Sequence, residues 1–170
     1  MGDTFSLESL WEVLVDRLKE KCPTIKINKI FTRHYQKIYS KSTNFDTSHL
    51  EWQMDTGNIR NGRSNEFWVC LHFEDTDKNK NYARLDYAKQ YKLLLEESLG
   101  MPVVFESWMP DGIWTRIKMV YPKKFGSNNE VLIDENLKIW AVEKMSILYD
   151  FLLKDGKLEK ILSESKENNG

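Results

Sequence analysis

The sequence lacks most of the patterns that reveal chemistry by spacing alone. It has only two cysteines, three histidines and four prolines in 170 residues. Cys22 and Cys70 form no Cys-x-x-Cys or Cys/His group, and no signal-peptide pattern opens the chain, so two reduced thiols in a cytoplasmic protein are expected. His34, His49 and His72 stand 15 and 23 residues apart with no partner at ligand spacing, which predicts surface or strand-lining histidines, no metal site and no cofactor. There is no GxxxxGK[ST] and no GxGxxG. Gly57 and Gly62 sit in a turn-rich stretch without the helix a phosphate loop needs. No strand-turn-helix elbow presents a serine or cysteine nucleophile. No apolar run approaches the roughly 20 residues of a membrane span, and no internal repeat is visible.

What is present is a globular composition: 41% hydrophobic and 30% charged residues, with 6 Trp, 7 Tyr and 8 Phe to fill one core. The best-punctuated stretch runs from Asn81 to Met119. Tyr82, Leu85, Ala88, Tyr91, Lys92, Leu95 and Leu99 recur at helical spacing, with Leu94 and Ser98 widening the stripe, and Gly100 and Pro102 ending one helix. Val103 to Trp108 and Ile113 to Val120 then flank a Met-Pro-Asp-Gly turn as a hairpin. On its second strand Trp114, Arg116 and Lys118 alternate with Ile113, Thr115, Ile117 and Met119.

Other elements follow the same logic. Thr4 to Lys21 reads as a helix capped by Ser6, with Leu7, Leu10, Trp11, Leu14, Val15 and Leu18 facing inward. Thr24 to Ser48 fits strand and helix equally, with a loop over Ser40 to Ser48. Leu50 to Asp55 alternates as a strand, Thr56 to Asn65 is an exposed connection, and Glu66 to Glu74 is a central strand. Tyr121 to Asn129 reads as a loop. Asp134 caps a long final helix interrupted near Gly156, Leu158, Ile161 and Leu162 form a last turn or two, and a polar tail runs from Ser163 to Gly170. The expected fold is a single α+β domain over 1–170, ordered from about residue 4 to 162. An antiparallel or mixed sheet of about four strands is packed with N-terminal, central and C-terminal helices.

Charge is unevenly spread. From Arg17 to Lys41 eight cations face Glu20 alone, whereas from Glu130 onward nine acids face six lysines. Within the basic stretch Phe31, Tyr35 and Tyr39 interleave with Lys29, Arg33, Lys37 and Lys41, so cations can meet phosphates while rings stack on bases. The candidate contact residues for nucleic acid or a protein partner are Lys26, Lys29, Arg33, Tyr35, Lys37, Tyr39, Lys41, Arg60, Arg63, Arg116 and Lys118. A solvated lysine face over core aromatics is the competing explanation. A nuclease of the restriction-endonuclease type needs an acid-x-Lys triplet on a strand, and here that spacing occurs only at Asp155-Gly156-Lys157 and Glu164-Ser165-Lys166. Carboxylates gathered only in space, such as Glu51, Asp55 and Glu74, would be the remaining route to a metal-dependent nuclease.

The run Ala83 to Gly100, then Phe105-Glu106-Ser107-Trp108, then Trp114-Thr115-Arg116-Ile117, then a helix bearing Trp140, resembles an uncharacterised bacterial and archaeal domain family. Members often lie on the C-terminal side of restriction-type nuclease domains. The resemblance covers residues 50 to 152 and the opening Leu10-Trp11 helix, and it brings no catalytic residues with it. It implies association with nucleic-acid processing or defence against foreign DNA. The expected function is therefore a non-catalytic binding or accessory domain for nucleic acid or a nucleic-acid-processing protein, with no membrane role. Alternatives are a small phage or mobile-element inhibitor that docks on a host defence nuclease such as a CRISPR effector, and a diverged metal-dependent nuclease.

Overall fold

The structure is a computed structural model and describes residues 4–27, 29–38, 47–109 and 111–167. Helix α1 (Leu7–Lys21) forms where its stripe predicts: Leu10, Trp11, Leu14, Val15 and Leu18 are all buried, and Ser6 Oγ accepts from the Ser9 amide at 3.2 Å. The ambiguous segment resolves into irregular chain leading to a short strand, β1 (Tyr35–Ile38). The loop expected over 40 to 48 falls mostly outside the described residues, and its end, Ser48, opens strand β2 (Ser48–Met54). The connection over 56 to 65 is less plain than expected, since it contains a single 3-10 turn and the two-residue strand β3 (Arg63–Ser64).

Strand β4 (Phe67–Phe73) is buried along its whole length. It is central, as its run of apolar and aromatic residues predicts. The chain then makes α2 (Lys78–Ala88) and α3 (Lys92–Leu99), followed by the hairpin β5 (Val104–Trp108) and β6 (Trp114–Val120). A two-residue strand β7 (Val131–Leu132) pairs with β3, and α4 (Glu135–Leu153) and α5 (Lys157–Glu167) complete the fold.

One expectation is corrected here. The single helix read from Tyr82 to Leu99 is two, broken by a 3-10 turn over Lys89–Tyr91. The turn rotates the second helix, so Leu95 and Leu99 stay in the core while Leu94 is 54% exposed. The polar tail is likewise helical as far as Glu167. At the interruption near Gly156, Asp155 and Gly156 both adopt positive φ, which closes α4 and lets α5 turn back.

The main sheet has five antiparallel strands in the order β1-β2-β4-β6-β5, one more than expected, besides the small β3-β7 pair. Because side chains alternate along a strand and directly paired residues share a face, the sheet has two distinct sides. One presents Leu50, Trp52, Met54, Phe67, Val69, Leu71, Phe73, Ile117 and Met119 to the helices. There Trp11 stacks on Trp52 with centroids 6.5 Å apart, and Trp52 Nε1 donates to the Ala141 carbonyl of α4 at 3.0 Å. A buried amide, Asn81 of α2, ties the helix to the Asp75 and Ile113 carbonyls.

Candidate functional site

The other side of the sheet carries polar and aromatic groups at almost every position. Register alone brings them together. His49 of β2 pairs directly with His72 of β4, and Glu51 and Glu74 lie two residues on from each, on the same face. The two imidazoles stack with centroids 5.1 Å apart and planes within 7°. His49 Nε2 lies 3.0 Å from Glu51 Oε2 and 3.7 Å from Glu74 Oε1. His72 Nδ1 lies 3.5 Å from Glu74 Oε1, and His72 Nε2 lies 3.8 Å from Glu51 Oε1.

This group is nearly dry. The His72 side chain is fully buried, and those of His49 and Glu51 are each 6% exposed. Burial, followed by the nearby His49, Arg116 and Lys37, lowers the basicity of His72 well below that of an ordinary histidine, so the ring is neutral and keeps a lone pair. Burial also raises the Glu74 carboxyl above its usual value. Neither nitrogen of His72 has a hydrogen-bond partner. An unpaired buried polar group costs about 1–3 kcal/mol. The other buried side-chain atoms without a partner among the described residues, Gln53 Oε1 and Trp108 Nε1, belong to the same face.

Beside the histidines a second group closes over the sheet. Arg116 of β6 pairs with His72 across one strand boundary and with Glu106 across the other. Glu106 Oε1 accepts from Arg116 at 2.6 Å and from Lys118 Nζ at 2.9 Å. Burial pushes the Glu106 carboxyl up, but the hydrogen bonds from Lys118 and Arg116 outweigh it and hold the group below its usual range. The Arg116 guanidinium lies 4.6 Å from the Trp68 ring centroid and 5.1 Å from that of Trp108, and Lys118 Nζ lies 4.3 Å from Trp68. Cys70 lies on this face between Glu51 and Lys118, and burial pushes its thiol far up, out of the reactive range. Cys22, also free, is pushed up to about 11 by burial.

The contact residues expected from the sequence divide accordingly. Tyr35 and Lys37 are on β1 and share the polar face, opposite Gln53 and Glu51. Lys26, Lys29 and Arg33 are exposed on the approach to β1, with Lys29 Nζ 5.5 Å from the Phe31 centroid and Arg33 6.0 Å from that of Tyr35. Arg60 is exposed beside a groove of about 660 Å³ lined also by Phe5, Leu7 and Thr32. Arg63 is exposed and rests over Phe125, 3.9 Å from Glu130. Arg116 and Lys118 are committed to Glu106 and Trp68. Tyr39 and Lys41 lie outside the described residues.

Of the carboxylates weighed for a nuclease, Glu51 and Glu74 meet at the histidines. Asp55 does not join them; its exposed side chain accepts from the Thr56 amide at the end of β2. Sequence spacing missed the histidine pair because the relevant distance runs across strands. The usable signal was a repeated His-x-Glu, at 49–51 and 72–74, on two neighbouring strands. Neither a scan against protein-family models nor searches of curated proteins and of solved structures return a match to this chain.

Proposed function

We propose that this chain is a binding domain, without catalysis of its own, that contacts nucleic acid along the β1 edge of its sheet. One observation carries the reading. Lys26, Lys29, Arg33 and Arg60 are exposed with no carboxylate partner among the described residues, and two of them lie against aromatic rings. Several cations elsewhere are answered by acids, as with Arg17 and Glu135 at 2.5 Å or Arg116 and Glu106. Unanswered cations next to rings suit a strand of phosphates and bases. The sequence resemblance over residues 50–152 and the opening Leu10-Trp11 helix would imply the same association with nucleic-acid processing.

The test is binding of the purified protein to short single- and double-stranded DNA and RNA across a salt series. Affinity should fall steeply with salt, and a Lys29/Arg33/Lys37 triple alanine variant should flatten the log-log slope by roughly 2 to 3 units. Salt-independent binding, or none, overturns this reading and leaves a protein partner, including a nuclease that the chain inhibits, to be sought by affinity capture. A second reading, a metal-dependent nuclease, draws on the meeting of Glu51 and Glu74. Cleavage in the same mixtures supplied with Mg²⁺ or Mn²⁺, and its loss in Glu74→Gln, would replace the first reading with the second.

A further inference from the structure

Three donors on the polar face of the sheet have the separations of a metal-binding set. One ligand atom each from His49, His72 and Glu74 lie within 4.8 Å of one another. The individual spacings are 3.5 Å from His72 Nδ1 to Glu74 Oε1 and 3.7 Å from His49 Nε2 to the same oxygen. Ligands held at about 2.0–2.2 Å around a tetrahedral ion lie roughly 3.3–3.6 Å apart. To close on a cation, His49 Nε2 has to give up its 3.0 Å hydrogen bond with Glu51 Oε2 and one imidazole has to turn out of the stack, because a ring nitrogen's lone pair lies in the plane of its ring.

An independent observation points to a ligand. His72 is fully buried, yet neither of its nitrogens has a hydrogen-bond partner. Native interiors rarely leave such atoms unmet. The neighbours decide the sign of the charge that would answer them. Glu51 and Glu74 face the imidazoles, so their two negative charges match a dication. The nearest positive groups are Lys37, across from Glu51 on β1, and Arg116, which Glu106 neutralises. An anion would have to sit against both carboxylates.

We infer that His49 Nε2, His72 Nδ1 and Glu74 bind one divalent transition-metal ion of the zinc type, with Glu51 orienting His72 through its Nε2. Two imidazoles and a carboxylate suit zinc, cobalt or nickel and disfavour magnesium and calcium, which take oxygen ligands. With Nδ1 on the metal, His72 Nε2 keeps its proton, and Glu51 Oε1, now 3.8 Å away and beyond hydrogen-bond reach, has to draw closer to accept it and complete a carboxylate-histidine-metal arrangement. Three protein ligands leave a position for water, and Glu74, whose side chain is 19% exposed, marks the solvent side. Trp108 packs edge-on against the His72 ring, with centroids 5.1 Å apart. The inference goes beyond the nucleic-acid reading and stands or falls without it.

The experiment uses the full chain, treated with a chelator and desalted, and titrated with Co²⁺ while visible absorption is followed, then with Zn²⁺ as competitor. One equivalent should bind with visible bands of low-coordinate cobalt, Zn²⁺ should displace it, and millimolar Mg²⁺ should not. His72→Gln should weaken binding at least 100-fold. Glu74→Gln and His49→Gln, checked for native circular dichroism, should weaken it tenfold or more and remain decisive if the His72 variant does not fold. Lys160→Ala, at an exposed position of α5, should bind as the parent does. The inference is overturned if the folded parent binds neither ion, or if Glu74→Gln and His49→Gln both bind within twofold of the parent.

Discussion

The two faces of one sheet are built on opposite rules. On the helix side Trp52, Phe67, Leu71 and Met119 are wholly buried, and shape and area do the holding. On the other side His49, Glu51, His72 and Arg116 are almost as buried but polar, and each has to be answered by a specific neighbour. Burial alone therefore does not distinguish the faces; the manner of satisfaction does. The apolar face tolerates any filling of the right volume, whereas the polar face fixes positions and leaves definite atoms unanswered.

Three substitutions separate the faces, in falling order of effect. Trp52→Ala removes the ring stacked on Trp11 and a hydrogen bond to α4, and should cost about 3–5 kcal/mol in denaturant unfolding. Should it cost less than about 1 kcal/mol, the helix face would not be the main source of stability. Glu106→Gln leaves an amide oxygen but removes the negative charge that Arg116 and Lys118 share, and should cost about 1–2 kcal/mol near neutral pH, reduced because the Glu106 side chain is 29% exposed. The parent's dependence on pH has a definite sign. Since the folded state holds the Glu106 carboxyl below its usual range, the stabilisation is complete above that range and is lost as pH falls through the folded-state value. The Gln variant should accordingly lose less stability than the parent between neutral and acid pH. Arg33→Ala removes an exposed group over Tyr35, and its midpoint of thermal unfolding should correspond to a change within about 0.5 kcal/mol. A larger loss would make the β1 edge structural and no longer free for a partner.

The helix side was legible in the sequence because periodicity reports burial against apolar neighbours. Ser6, Leu10, Trp11 and Leu14 mark α1, the alternation of Trp114 to Met119 gives both faces of β6, and Asp134, which accepts from the Leu137 amide, opens α4. The break at Lys89–Tyr91 was not legible, since Tyr91 and Lys92 continue the helical spacing while the backbone tightens by a fraction of a turn. The strand β1 was obscured by aromatic residues that suit either structure. The candidate site was the least legible part. Arg116 and Lys118 could be placed on a common face, but nothing in their spacing shows that Glu106 faces them across the hairpin. The pairing of His49 with His72 depends on a strand register that no local pattern states.

The position of β6 between β4 and β5 also orders events in time. β2 meets β4, and β5 meets β6, through short connections, but Phe73 of β4 pairs with Thr115 of β6 only after the chain has travelled through α2 and α3. Closing the longer loop carries the greater entropic cost and so belongs to a later step of folding. The imidazole pair is then a product of one half-sheet and the Glu106 triad of the other. Amide protection should appear in β2 and β4, and in the β5–β6 hairpin, before it spreads across the β4–β6 seam that joins them.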